Sequence, residues 1–368
     1  MKKKLWFALS ATAAVVTVSI AVLAVYVART WDRAWDAPLP ALHRSTDPEV
    51  IRRGEYLVNG PAHCVLCHSN SIDTVESLMA EGRPVPLIGG AKFAAPPLGV
   101  IYSKNLTPDL ETGIGRYSDM EIARLLRWSV RPNGRAVIQL FMPYDGMSDA
   151  DLVAIISYLR VQAPVRHEVP TDEYTAIGKV VKSLMPIFKP RRAVHPVNSV
   201  PDSPIARGEY VARHVANCGG CHTKRDPLTF AAKAAEFSGG AEMAPETRSG
   251  ADPSMWFRTP NLTPAAGSVL NRFPDRETFI ARFQHGGLHY QGSPMPWVPF
   301  GRMSTEDLSA LYDYLHSLAP QAGPIGEPTF VKGKELEVAK RARAEKLTGE
   351  REPLASQQVR SKGLNRLP

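Results

Sequence analysis

All four cysteines of this 368-residue chain fall in two five-residue runs, Cys64-Val65-Leu66-Cys67-His68 and Cys218-Gly219-Gly220-Cys221-His222. C-x-x-C-H is the attachment signal for haem c: both thiols add to the haem vinyl groups, and the adjacent histidine gives an axial nitrogen to iron. A zinc knuckle, a redox dithiol and a structural disulfide are the competing uses of a CxxC pair. With ten histidines in the chain, chance puts one directly after both pairs only about once in a thousand trials, so the spacing favours haem. The expectation is two covalently bound haems c, held through Cys64, Cys67, Cys218 and Cys221, with His68 and His222 as axial ligands.

The rest of the chain repeats with these motifs. Arg53-Gly54-Glu55-Tyr56 recurs as Arg207-Gly208-Glu209-Tyr210, and in both copies the tyrosine stands eight residues before the first cysteine. Asn105-Leu106-Thr107-Pro108 recurs as Asn261-Leu262-Thr263-Pro264, and Met142-Pro143 as Met295-Pro296. A run of Met147, Ser148, Asp151 and Leu152 is matched by Met303, Ser304, Asp307 and Leu308. Landmarks in one order at offsets of 153–156 residues are the signature of a tandem duplication.

Each copy closes on a helix. Ser148 and Ser304 are N-cap candidates with an acid three residues on, and Pro164 and Pro320 stop the segments. Leu152, Ile155, Ile156 and Leu159 follow i, i+3, i+4, i+7 spacing, as do Leu308, Leu311, Tyr312 and Leu315. Residues 48–58 and 204–215 also read as helical. The proline-rich stretches between, with Pro84, Pro86, Pro96 and Pro97 in the first copy, argue against strands and for irregular chain wrapped around a cofactor.

The N-terminus reads as a membrane segment. Residues 5–28 are uncharged, long enough to cross a hydrocarbon core of about 30 Å. Lys2, Lys3 and Lys4 precede it, which by the positive-inside rule puts everything after Arg29 outside. Trp31 and Trp35 then stand where interfacial aromatics are expected. A cleaved export signal, ending near Ala24, would have a shorter apolar run of about 7–15 residues, so length favours a retained anchor. The formal charge of +8 reports the chain ends, since the three lysines and a net +4 in residues 323–368 leave +1 for the body. No nucleic-acid-binding face is expected. The division is an anchor at 1–30, a first domain at 46–165, a linker at 166–200 with a short helix near 177–184, a second domain at 201–322, and a charged tail at 323–368. That tail reads as solvated or partner-docking, with a helical stretch near 334–346.

The run Asn105-Leu106-Thr107-Pro108-Asp109-Leu110-Glu111-Thr112-Gly113-Ile114-Gly115-Arg116-Tyr117-Ser118-Asp119, followed by Phe141-Met142-Pro143-Tyr144, resembles the cytochrome c subunit of membrane-bound alcohol and gluconate dehydrogenases. The likeness covers residues 48–320. It implies a mainly α chain with two tandem class I cytochrome c-like domains after one transmembrane helix. It also implies electron transfer from a periplasmic or membrane-bound dehydrogenase to a downstream cytochrome, quinone or oxidase. Those subunits usually carry three haem motifs, whereas this chain has two.

A haem that only shuttles electrons needs a sixth ligand. Met142 and Met295 lie 74 and 73 residues after His68 and His222, each before a proline and a closing helix, and match the family's Met-Pro motif. Met147 and Met303 compete, but one residue before an N-cap is the place of a hydrophobic staple. His285 and His289 are alternatives for the second iron. His63 and His214 read as helix-end or surface residues. Asn105 and Asn261 suit either a turn or a haem propionate, and Arg131 and Arg135 either a propionate or a solvated loop. These features predict an electron carrier without catalysis of its own in the bacterial cytoplasmic membrane, its haem domains in the periplasm. A di-haem peroxidase is the alternative, which paired Met-Pro signals disfavour, and a haem-based sensor lacks an output domain.

Overall fold

The computed structural model describes residues 2–331 apart from 192–195, 198, 227–228, 247–249, 286, 288–289 and 325–328. Helix α1 (Lys2–Thr30) carries the apolar run, with a mean hydropathy of 2.3, and is long and apolar enough to cross a membrane. Its large apolar side chains from Leu5 to Tyr26 are 41–79% exposed.

The first repeat comprises α2 (Pro48–Asn59), α3 (Cys64–His68), α4 (Ile72–Ala80), β1 (Lys92–Ala95), β2 (Gly99–Tyr102), α5 (Asp119–Trp128) and α6 (Asp149–Val161). The connection holds β3 (Glu173–Tyr174) and α7 (Ala176–Leu184). The second repeat begins with α8 (Pro204–Tyr210), which runs into a π-helical turn at Val211–Val215, and α9 (Cys218–Cys221). It continues through β4 (Glu242–Met243), β5 (Met255–Arg258), α10 (Arg276–Gln284), α11 (Trp297–Phe300) and α12 (Thr305–Ser317), with β6 (Thr329–Val331) beyond it.

Local sequence explains the helix boundaries. Asp47 caps α2 by accepting from the Glu49 N–H at 2.8 Å, with Pro48 in the first turn. Ser118 and Glu121 form a reciprocal capping box on α5. Ser148 and Ser304 cap α6 and α12, accepting from Asp151 and Asp307 N–H at 3.1 Å each. These are the expected closing-helix caps.

The prolines do not exclude strands. Two three-stranded antiparallel sheets form, β1-β2-β3 and β4-β5-β6. Pro96 and Pro97 sit between β1 and β2, where no ladder donor is needed. Each sheet takes its third strand from beyond the closing helix. Val100 faces Glu173 of the connection, and Phe257 faces Thr329 of the tail. The connection is thus tied to the first repeat and the start of the tail to the second. The helical stretch expected at 334–346 lies outside the described residues.

In each repeat the opening helix crosses the closing one, α2 on α6 and α8 on α12. Gly54 and Gly208 mark the crossings, where a Cβ would collide with the carbonyl oxygens of Ala154 and Ala310 respectively. The buried apolar side chains of both repeats merge into one cluster, from Leu57, Met147 and Leu152 to Tyr210, Met303 and Leu308.

Polar side chains exchanged between the repeats pin that shared core. Arg53 forks onto Asp151 in its own repeat, at 2.8 and 2.9 Å, and Arg207 donates to Asp307 at 2.7 Å. Tyr56 then donates across to Asp307 at 2.5 Å, while Tyr210 donates across to Asp151 at 2.7 Å. Each phenol also accepts from the N-cap of the other repeat, Ser304 N–H at 3.2 Å and Ser148 N–H at 3.1 Å. Both carboxylates are 1% exposed, a burial tolerated because each receives several charge-assisted donors.

Candidate functional site

The two CxxCH runs occupy short helical turns, α3 and α9, entered through left-handed residues. His63 precedes the first with φ of 41° and Asn217 the second with φ of 53°. His68 Nδ1 lies 2.8 Å from the Lys104 carbonyl oxygen, and His222 Nδ1 lies 2.9 Å from that of Pro260. A carbonyl only accepts, so Nδ1 carries the proton and Nε2 keeps its lone pair. Burial lowers the pKa of both rings, which holds them neutral.

Lys104 and Pro260 each stand one residue before the duplicated Asn-Leu-Thr-Pro motif, and the motif is what holds those carbonyls. Asn105 Oδ1 accepts from Thr107 N–H and Oγ–H at 2.9 and 2.8 Å, while its amide donates to the Val165 carbonyl at 2.9 Å. Asn261 does the same with Thr263, at 2.8 Å for both bonds, and with Gln321 O at 2.8 Å. The asparagines are turn locks that tie the histidine-orienting loop to the chain after the closing helix. Sequence reasoning left that role open.

No two of the four cysteines are joined in a disulfide. Burial pushes Cys64 and Cys218 up to about 12 and Cys67 up to about 11, and Cys221 rises for the same reason. Among the described residues, no group of three His, Cys, Asp or Glu side chains converges as a metal site would require. Thiols and an imidazole lone pair that share a short turn without meeting at one point suit an extended group that contacts each separately.

Further residues fit that group. Cys64, Leu106 and Met142 in one repeat, and Cys218, Leu262 and Met295 in the other, pack half-buried against the rim of the core. Met147 and Met303 are sealed within it, at 0% and 2% exposure, directly before the N-caps. Arg191 and Arg225 each hold a buried Nε without a hydrogen-bond partner. Arg191 reaches the Met142 carbonyl at 3.4 Å, and Arg225 stands three residues after His222. An orphaned guanidinium nitrogen beside each site suits an anionic substituent such as a haem propionate. Neither arginine has a sequence motif that would reveal it.

No family model matches the chain. It is 32% identical over 283 residues to the gluconate 2-dehydrogenase cytochrome c subunit of Pantoea cypripedii, covering 73% of this chain and 59% of that one. It is 28% identical over 299 residues to the fructose dehydrogenase cytochrome subunit of Gluconobacter japonicus, covering 77% and 55%. With the cytochrome c subunit of the quinone alcohol dehydrogenase of Gluconobacter oxydans (strain 621H), it shares 28% over 298 residues, covering 77% and 58%. The chain resembles the cytochrome c subunits of membrane-bound dehydrogenases. It spans 55–59% of the length of these relatives.

Several other residues of this cytochrome-like chain have definite places. His63 stands at a helix end, as the N-cap of α3, and His214 lies near the end of the π-helical turn, both half-buried. The His63 ring meets Phe300 edge-on at 5.5 Å, and His214 packs against Gly146 and Tyr210, so both lie between the repeats. Arg131 and Arg135 are committed to carboxylates, Asp172 at 3.2 Å and Asp32 at 2.6 Å. His285 is exposed at the C-cap of α10, and His289 lies outside the described residues. The contacts across the repeats were invisible to sequence reasoning because no local pattern encodes which helix end a tyrosine will reach.

Proposed function

We propose that the chain is an electron-carrying c-type cytochrome subunit with two covalently bound haems, in two class I cytochrome c-like domains on the periplasmic side of the cytoplasmic membrane, anchored by α1. It takes electrons from a dehydrogenase partner and passes them to a downstream cytochrome, quinone or oxidase, with no catalysis of its own. The observation that carries this reading is the duplicated CxxCH turn, in which a backbone carbonyl fixes Nδ1 as donor and leaves Nε2 free to ligate. Names among the relatives support a dehydrogenase partner.

Haem c, when bound, supplies a one-electron iron couple. The chain's residues do the rest. Cys64, Cys67, Cys218 and Cys221 would hold the group by thioether bonds, and His68 and His222 would each offer an imidazole nitrogen to its iron. Met142 and Met295 would offer a thioether sulfur to the iron, which favours its reduced form. Val65 and Gly219 seat the turns on the shared core, with Cys64, Cys67 and Cys218 half-buried and Cys221 exposed. The contact of His63 with Phe300, and the reach of the Glu246 charge to Cys67, set the first motif against the second repeat. That closeness suits exchange of electrons within one chain.

Acid-acetone treatment of the purified protein should leave two haems per chain with the polypeptide, and the reduced spectrum should be that of low-spin c-type haem. Release of the haem into the acetone would overturn covalent attachment. A site that binds carbon monoxide and reduces hydrogen peroxide would overturn the carrier reading in favour of a peroxidase.

A further inference from the structure

Helix α7 is built inside out. Ile177, Val180, Val181 and Leu184 follow i, i+3, i+4, i+7 spacing, which ordinarily turns toward a core. Here Ile177 is 54% and Leu184 48% exposed, and the two valines are only half-buried. The buried positions on α7 are Gly178, which packs on the backbone of Leu98, and Ser183. Its lysines also turn inward. Lys179 and Lys182 lie over the Trp31 ring at 4.7 and 5.2 Å. A helix that half-buries its lysines over a ring and leaves Ile177 and Leu184 exposed is arranged for an outside that is not water.

Its position says what that outside is. Val27 is 8% exposed, although the other large apolar side chains of α1 stand free. Tyr26 and Thr30, in the last turn of α1, line a pocket of about 90 Å³ together with Arg33, Arg135, Lys182 and Lys189. The end of α7 and the turn after it therefore flank the apolar helix where it leaves its uncharged stretch. Asp32 pairs with Arg135 and Lys182, at 2.6 and 3.4 Å, and offsets one of the four positive charges. A small pocket left net cationic at that depth matches a phosphate group at the level of the lipid headgroups.

We infer that α7 and the turn after it form a second membrane contact, with Ile177 and Leu184 dipping into the bilayer surface and the pocket holding the phosphate of an anionic phospholipid. The inference rests on the reading of α1 as a retained anchor. This contact fixes how the first repeat stands on the membrane.

The full-length, haem-loaded protein in phosphatidylglycerol nanodiscs tests it. Nitroxide labels on Ile177→Cys and Leu184→Cys should be reached by oxygen and shielded from a water-soluble nickel chelate, like one on Val15→Cys and unlike one on Glu168→Cys. Chelate access at 177 and 184 with shielding at 15 would overturn the second membrane contact and leave the anchor standing. Chelate access at 15 as well would overturn both. For the pocket, native mass spectrometry of protein released from mixed nanodiscs should show phosphatidylglycerol retained over phosphatidylcholine. The double substitution Arg33→Gln and Lys189→Gln should cut that preference several-fold. An unchanged preference, or displacement of the lipid by inorganic phosphate, would overturn the headgroup assignment.

Discussion

At the scale of single residues, two methionines per repeat look alike in sequence and differ sharply in surroundings. Met147 and Met303 are enclosed, so their truncation leaves a cavity. Met147→Ala and Met303→Ala should each cost about 2–5 kcal/mol, read from thermal or denaturant unfolding, and leave the haem spectrum alone. Met142→Ala and Met295→Ala should do the reverse. Each should abolish half of the weak far-red band of methionine bound to ferric iron and convert one haem to a high-spin or misligated form, with little loss of fold. Retention of the whole band in both variants would reject the assignment and direct attention to His285 or His289 for the second iron. Met-Pro was legible as a candidate because it recurs at nearly the same distance from CxxCH, 74 and 73 residues after the histidine. Its half-buried rim position was not, since exposure depends on what packs above it.

At the scale of elements, the repeated Arg-Gly-Glu-Tyr motif resolves into separate jobs. Its glycine lets α2 and α8 press onto α6 and α12, so Gly54→Ala or Gly208→Ala should destabilise by about 1–3 kcal/mol through overpacking at the crossing. Its tyrosine leaves its own repeat. Tyr56→Phe removes a donor from Asp307 and an acceptor from the Ser304 N–H, and should cost about 1–3 kcal/mol. Tyr210→Phe should cost a similar amount at Asp151. Calorimetry should show both variants lowering the stability of the two repeats together. If one repeat melts alone and the other is unmoved, the shared core is not cooperative.

For the whole molecule, the connection between repeats is an anchored element, and its main ion pairs make it acid-sensitive. Burial of Asp172 would raise its carboxyl, but the Arg131 charge, the Lys104 ammonium and the Tyr102 N–H outweigh burial and hold it below the usual range. A depressed folded value means that this stability is present above the unfolded value of about 3.9 and is lost as pH falls through the folded value. Asp172→Asn should therefore lower the melting temperature at neutral pH, and the gap to the unmodified protein should close below about pH 4. A gap that stays constant down to strongly acid pH would show that the carboxylate charge contributes nothing. Replacing residues 1–30 by a cleavable export signal should release the protein from washed membranes with both haems retained.

What the sequence determined by itself is whatever a local pattern can encode. The CxxCH turns, the caps at Ser148 and Ser304, the short helix near 177–184 and the apolar run of α1 depend on residues within a few positions of one another, and all were legible, as was the duplication, because the same local patterns recur in one order. The proline-rich stretches misled, because proline bars a ladder donor only where it stands, and the strands form between the prolines with partners from beyond the closing helices. Tertiary structure alone decided which carbonyl orients each histidine, which repeat each tyrosine reaches, and which face of α7 meets the outside. Those outcomes depend on groups tens to hundreds of residues apart, such as Tyr56 and Asp307, or Lys182 and Asp32. They are set when two copies of one fold bury a common core, because buried carboxylates then accept whichever donors the packing brings within reach.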